Sequence, residues 1–257
     1  MLSQQPQLPN KTVTPTVNNI LSRAASFRER HKNDRTVQLT FGYFTHHPVA
    51  PLNKKRLRYM LENLQKRSGE LGRPLRVLDL ACGGGLITCA IAALGHRTLG
   101  MDLSTDEIRW AQAFAHEENL NGMFVQADLL GPDSWERTAE EILGGKPDVI
   151  TLAYALHHLP DVEAFVSRLS RWLDAGAQLL INEENPDAPL FRLKHRVRTW
   201  IQKDTDVEWH RTYLGWKQLL ESARFETGLP KGADILPGLG QMMPEKCWSL
   251  VFTAHKS

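Results

Sequence analysis

The chain has 257 residues, 42% hydrophobic and 23% charged, with a formal net charge of +2, which is enough chain for a sizeable core but too little charge to argue for nucleic acid. Its three cysteines (Cys82, Cys89, Cys247) include no CxxC pair and favour a reducing compartment over a disulfide framework. No apolar run is long enough to span a bilayer, and residues 1–15 lack the apolar core of a signal peptide, so a cytoplasmic protein with a flexible tail over 1–15 is expected.

An N-terminal helical cap is expected over 16–70. Within it, Val17, Ile20, Leu21, Ala24 and Phe27 form a helical stripe. Residues 40–51 are aromatic and turn-rich and read as an irregular connection. A second amphipathic helix follows over 52–66. Its core side is Leu57, Met60, Leu61 and Leu64, and its other side, with Lys54, Lys55, Arg56 and Arg58, reads as a solvated face, with attraction of an anionic substrate as the alternative.

From residue 71 strands and helices alternate. An apolar stretch (Leu75, Val77, Leu78, Leu80) enters the glycines Gly83, Gly84 and Gly85, and helical character resumes at once. Such a strand–turn–helix opens a nucleotide-binding α/β unit, because the glycines allow close backbone approach and the helix N-terminus favours an electron-rich ligand. Further strands are expected at 96–101, 123–126, 148–153, 179–182, 225–229 and 247–254. Helices lie between them: one after a capping box at Ser104 and Glu107, one over 133–143 stopped by Gly144 and Gly145, and one capped by Asp161 and closed by Gly176. The pattern predicts a doubly wound α/β fold with a mostly parallel seven-stranded sheet and helices on both faces, residues 71–257 forming one domain. The alternation breaks after the fifth strand, where a basic amphipathic helix over 189–202 marks a helical insert at about 187–211.

Three of the early strands end in acids: Asp79, Asp102 and Asp128. Asp102 lies 23 residues after Asp79, near the spacing at which a carboxylate accepts both ribose hydroxyls. The turn departs from the dinucleotide fingerprint, since Thr88 stands where the third glycine belongs. The stretch instead resembles the first motif of class I S-adenosylmethionine-dependent methyltransferases, Asp-x-Gly-x-Gly-x-Gly, with Asp79, then Ala81 for the first glycine, Gly83 and Gly85. The resemblance continues through 100–104, 126–130 and 148–161 and covers residues 75–182. It implies that Gly83 and Gly85 (with Ala81) face the methionine part of S-adenosylmethionine and that Asp79 organises its amino group. It further implies that Asp102 with Leu103 holds the ribose, that Asp128 and Leu129 face the adenine, and that Ala153 and Tyr154 border the methionine end and the substrate. The product would be S-adenosylhomocysteine. The Leu152-Ala153-Tyr154-Ala155 run differs from the Asn/Asp-Pro-Pro-Tyr/Phe of enzymes that methylate base nitrogens, which disfavours nucleic acid as acceptor.

Methyl transfer requires in-line alignment and exclusion of water, and an oxygen nucleophile can also need a base. His157 and His158, just past the fourth strand, are the candidate bases, with Glu183 and Glu184, read as lying past the fifth strand, ranked below them. His210 and Tyr213 border the insert and are candidate substrate contacts; Trp200, Trp209 and Trp216 nearby suit an apolar pocket. The histidine pairs lack metal-ligand spacing, so no catalytic metal is expected. The insert's stripe is expected to pack on the domain, with a lid over an apolar substrate or peripheral membrane contact through 189–202 as alternatives. The expected activity is methyl transfer to a small molecule, at oxygen. Nitrogen or carbon acceptors, a non-catalytic S-adenosylmethionine-binding module and an NAD-dependent dehydrogenase stay open, and oligomeric state is not legible.

Overall fold

A computed structural model describes residues 12–132, 134–189, 191–192, 210–233 and 247–257. The body of the expected insert, including Trp200 and Trp209, and most of the tail lie outside the described residues. The chain forms two compact units, Met1–Asp128 with Ser134–Val149, and Leu129–Asp133 with Ile150–Ser257.

The first unit opens with three helices, α1 (Val13–Arg30), α2 (Arg35–Thr45) and α3 (Ala50–Leu71). The irregular connection expected at 40–51 is therefore corrected, since its first half belongs to α2. Asp34 caps that helix by accepting the Val37 N–H at 3.1 Å, and Val37 and Phe41, one turn apart, bury one face. Phe41 in this stretch is a core residue, whereas Tyr43 is exposed: Phe41 packs on Phe27 of α1 at 5.1 Å between ring centroids and edge-on to Phe114 at 4.9 Å. The solvated basic face of the second expected helix is corrected at one position, because Arg56 is buried and donates to Asn53 Oδ1 at 2.7 Å.

The first unit continues with β1 (Arg76–Leu80), α4 (Leu86–Ala93), β2 (Arg97–Asp102), α5 (Thr105–Glu117), β3 (Met123–Gln126) and α6 (Trp135–Leu143). β2 lies between β1 and β3, parallel to both, with Leu99 opposite Leu78 and Met123. Asp148 anchors the entrance of β1: it accepts from the Arg76 N–H at 2.8 Å and from both Arg73 guanidinium nitrogens at 2.7 and 2.9 Å. Burial opposes ionisation of that carboxyl, but the arginines and the backbone donor outweigh it and hold it below the ordinary range.

The second unit holds β4 (Val149–Ala153, whose first residue belongs to the other unit), a 3-10 turn at Leu156–His158, α7 (Val162–Trp172), β5 (Gln178–Glu184), α8 (Tyr213–Ser222), β6 (Phe225–Thr227), β7 (Lys231–Ala233) and β8 (Ser249–Lys256). Strand order here is β4-β5-β8-β6, with β8 antiparallel to β5, β6 and also β7. The fold class is the α/β one expected, with eight strands among the described residues where seven were read; β7 is the addition, three residues long and too short to show periodicity. Asp161 and Thr212 cap α7 and α8 by accepting the Ala164 and Gly215 N–H groups. Among the described residues no helix is long and apolar enough to cross a membrane.

Candidate functional site

In the first unit, β1 delivers the chain into the glycine turn and α4 leaves it at Gly85, which has φ +73°. Gly83 also has positive φ, and so does Ala81 at +54°, the position where the resembling motif carries glycine. A non-glycine residue held there is strained by about 1–3 kcal/mol. The turn is packed from behind. A Cβ on Gly85 would lie 2.4 Å from the Phe124 ring, and one on Gly84 would lie 2.7 Å from Thr40 Cγ2 and 3.1 Å from Phe41 of α2.

Asp102 closes the turn, its Oδ2 accepting the Gly83 N–H at 2.8 Å and its Oδ1 the Ser104 N–H at 2.9 Å. A carboxylate has about four acceptor positions, so each oxygen retains capacity for a ligand hydroxyl. Leu103 beside it is 64% exposed, the exposed apolar surface that a flat ring could cover. Asp79 is buried and accepts from Thr88 Oγ1 at 2.6 Å. Thr88, which breaks the dinucleotide fingerprint, therefore has a partner of its own near the end of β1. Asp128 is exposed at the end of β3. The Cys82 thiol is pushed well up by burial and then by Asp79 and Asp102, which disfavours the thiolate.

The capping box forms by half. Ser104 accepts the Glu107 N–H at 3.2 Å, but the Ser104 N–H goes to Asp102, and Glu107 Oε1 accepts from Thr40 Oγ1 at 2.7 Å. Glu107 is thus a contact between α5 and α2 at the back of the turn, and burial raises its pKa. Sequence reading missed this role because the capping-box pattern already explained the residue.

In the second unit, β4 ends at Ala153, and Tyr154 follows with φ +57°, its N–H donating to Asn182 O at 2.8 Å. The 3-10 turn comes next and buries His157 while leaving His158 exposed. Glu183 and Glu184, expected past the fifth strand, are corrected to the last two residues of β5. Glu183 is buried and accepts three hydrogen bonds: Ala155 N–H at 3.1 Å and Leu156 N–H at 2.8 Å on Oε1, and His157 Nδ1 at 2.5 Å on Oε2. Three donors compensate a buried carboxylate. The His157 ring also stacks on His210 (centroids 4.6 Å, 24°) and lies 4.0 Å from His158 and 6.5 Å, edge-on, from Tyr154. Five residues named from the sequence, Tyr154, His157, His158, Glu183 and His210, are therefore brought together. Tyr213 stands apart from them, its hydroxyl donating to Gly228 O at 2.7 Å and its ring edge-on to Phe252. Leu129 is buried in this unit, and its carbonyl accepts from Arg168.

A glycine turn between a parallel strand and a helix, with a carboxylate from the next strand bonded to the turn, defines a Rossmann-like cofactor-binding unit. Residues 52–227 match the family model described as a methyltransferase domain. Among curated proteins, the chain is 28% identical over 197 residues to the ubiquinone biosynthesis O-methyltransferase of Brucella anthropi, covering 72% of each. The protein of that name from Xanthomonas oryzae pv. oryzae is 30% identical over 146 residues, and the match spans 56% of its length and 57% of this chain. Among solved structures, magnesium protoporphyrin IX methyltransferase from Synechocystis PCC 6803, crystallised with S-adenosylhomocysteine, superposes with a TM-score of 0.57 at 17% identity, over 96% of this chain and 100% of that one. The chain belongs to the methyltransferase-domain family and is a class I, S-adenosylmethionine-dependent methyltransferase.

Proposed function

We propose that the protein transfers the methyl group of S-adenosylmethionine to an oxygen of a small-molecule acceptor, with His157 as the base that takes the acceptor's proton. The observation that carries this reading is the placement of His157: a buried imidazole in the turn directly after β4, held among other rings. An imidazole is the side chain whose proton affinity suits this task near neutral pH. The names of the O-methyltransferase relatives support the choice of oxygen.

S-adenosylmethionine would supply an activated methyl group, carried on a sulfonium whose thioether is a good leaving group. The chain's own residues then bind and orient. Asp102 with Leu103 takes the ribose hydroxyls, Gly83 and Gly85 with Ala81 admit the methionine end to the backbone, and Asp79 answers its ammonium. Asp128 and Leu129 flank the adenine, and Ala153 and Tyr154 border the acceptor. The Asp102 geometry fits such a group, because each oxygen already spends one acceptor position on the turn and has another for a hydroxyl. Exclusion of water favours the reaction further, since fixed groups of the site rather than solvent then meet the charge as it moves. Residues 71–257 act as the catalytic domain and 16–70 as its N-terminal cap.

The test is incubation of the purified protein with methyl-labelled cofactor and a panel of phenols, alcohols, carboxylic acids and amines. The label is expected on oxygen, and His157→Ala should lower turnover by about 10²–10⁴-fold. Label on nitrogen or carbon, or turnover unchanged by His157→Ala, would overturn the proposal.

A further inference from the structure

We infer that Glu183 is a positioning residue that fixes the proton of His157 on Nδ1 and so makes Nε2 the basic atom; this rests on the reading of His157 as the base. The inference comes from how Glu183 is itself held. Its Oε1 accepts the N–H groups of both Ala155 and Leu156, so the carboxylate cannot rotate without leaving two backbone donors without their acceptor. Its Oε2 is thereby aimed at His157 Nδ1, at 2.5 Å, and the carboxylate and the imidazole side chain are 1% and 5% exposed. An ionised carboxylate only accepts, so a neutral imidazole meeting it must carry its hydrogen on Nδ1, and the lone pair falls to Nε2.

The neighbours agree with a single ring orientation. The His210 ring lies nearly parallel to that of His157, Phe191 packs edge-on to His210 at 4.9 Å, and His158 and Tyr154 flank the other sides. Among these groups Glu183 is the carboxyl-bearing side chain, and as a carboxylate it also stabilises the imidazolium formed when a proton arrives. The transfer balances. The acceptor O–H bond breaks and its proton goes to Nε2, while the oxygen forms a bond to the methyl carbon. The carbon–sulfur bond breaks with its electron pair to sulfur, and a neutral thioether leaves.

Glu183→Gln tests this with almost no change of shape. The two backbone N–H groups will hold the amide oxygen, which turns the amide NH₂ toward His157 Nδ1. A donor there forces the imidazole hydrogen onto Nε2, and the basic atom is lost. The side-chain ¹⁵N spectrum of histidine-labelled protein, with the His157 signals assigned by their loss in His157→Gln, reads the tautomer directly. The wild type should show the Nδ1–H form and Glu183→Gln the Nε2–H form. In parallel, kcat should fall at least 100-fold, with the Kd for S-adenosylhomocysteine within twofold and the acid limb of the kcat/KM profile moved to lower pH. A wild-type His157 in the Nε2–H form overturns the inference without any variant having to fold. A Glu183→Gln enzyme with unchanged tautomer or unchanged pH profile also overturns it. If His157→Ala leaves turnover unchanged while wild-type His157 carries its proton on Nδ1, the base assignment fails and the tautomer assignment stands.

Discussion

Removing the Asp102 carboxylate separates the job the structure shows, holding the glycine turn, from the ribose binding proposed for the same side chain. In Asp102→Ala the Gly83 and Ser104 N–H groups, now accepted at 2.8 and 2.9 Å, lose their partner, which loosens the turn. Water reaches part of this region, so the cost sits near the low end for an unsatisfied donor, about 1–2 kcal/mol for the pair. The ribose hydroxyls lose their acceptor as well, and a loss of about ten- to a hundredfold in S-adenosylhomocysteine affinity, about 1.4–2.8 kcal/mol, is expected. Titration calorimetry with S-adenosylhomocysteine and with its 2′,3′-dideoxy analogue distinguishes the two effects, and urea unfolding measures the turn. If the carboxylate meets the ribose, the variant loses affinity for the natural ligand and almost none for the analogue. Equal losses for both ligands would place the effect in the turn alone. Unchanged affinity for the natural ligand refutes the ribose assignment.

Ala81→Gly should raise the urea midpoint by the equivalent of about 1 kcal/mol, because it relieves a φ of +54°, whereas Ala81→Val should lower it. His96 is buried and its pKa is lowered from 6.5 to about 4, so the unfolded chain binds the extra proton between those values. Stability from this group is present above pH 6.5 and is lost as pH falls toward 4, by about 2–4 kcal/mol, and His96→Phe should flatten that part of the pH–stability curve. Glu107 has the opposite sign. Its raised folded pKa favours the folded state below the unfolded carboxylate pKa, and that advantage is lost as pH rises through the folded value. Glu107→Gln should therefore raise the neutral-pH melting temperature, a gain that shrinks on acidification.

Much of the fold was legible because its signals were local. The apolar strands, the Asp161 and Gly144 boundaries and the glycine turn each follow from a few adjacent residues. What was misread depends on distant partners. Residues 40–45 look like a loop by composition, and only the Phe27 and Phe114 rings show why Phe41 sits on a helix. Ser104 and Glu107 match a capping box, but Asp102 and Thr40 compete for the bonds that would complete it. Glu183 was placed past β5 because acids are poor strand formers. It stays in the strand because β8 pairs with it there, Leu250 opposite Glu183, and three donors satisfy its buried carboxylate.

Backbone strain identifies the same places independently. Among the described residues four non-glycine positions have positive φ: Ala81, Asn119, Tyr154 and Arg224. Asn119 and Arg224 follow the ends of α5 and α8, where a left-handed residue commonly closes a helix. Ala81 and Tyr154 follow strands, where nothing in chain termination asks for that conformation. One opens the glycine turn, and the other turns the chain from β4 toward His157. Strain of this kind persists when the surroundings over-determine it. At Tyr154 the surroundings are on view: its own N–H is fixed to Asn182, and Glu183, the next residue of β5, takes the N–H groups of the two residues that follow Tyr154. The bonds that impose the unusual backbone at Tyr154 come from the same stretch of β5 that orients the histidine. The turn after β4 and the proton on His157 are consequently set by one structural device.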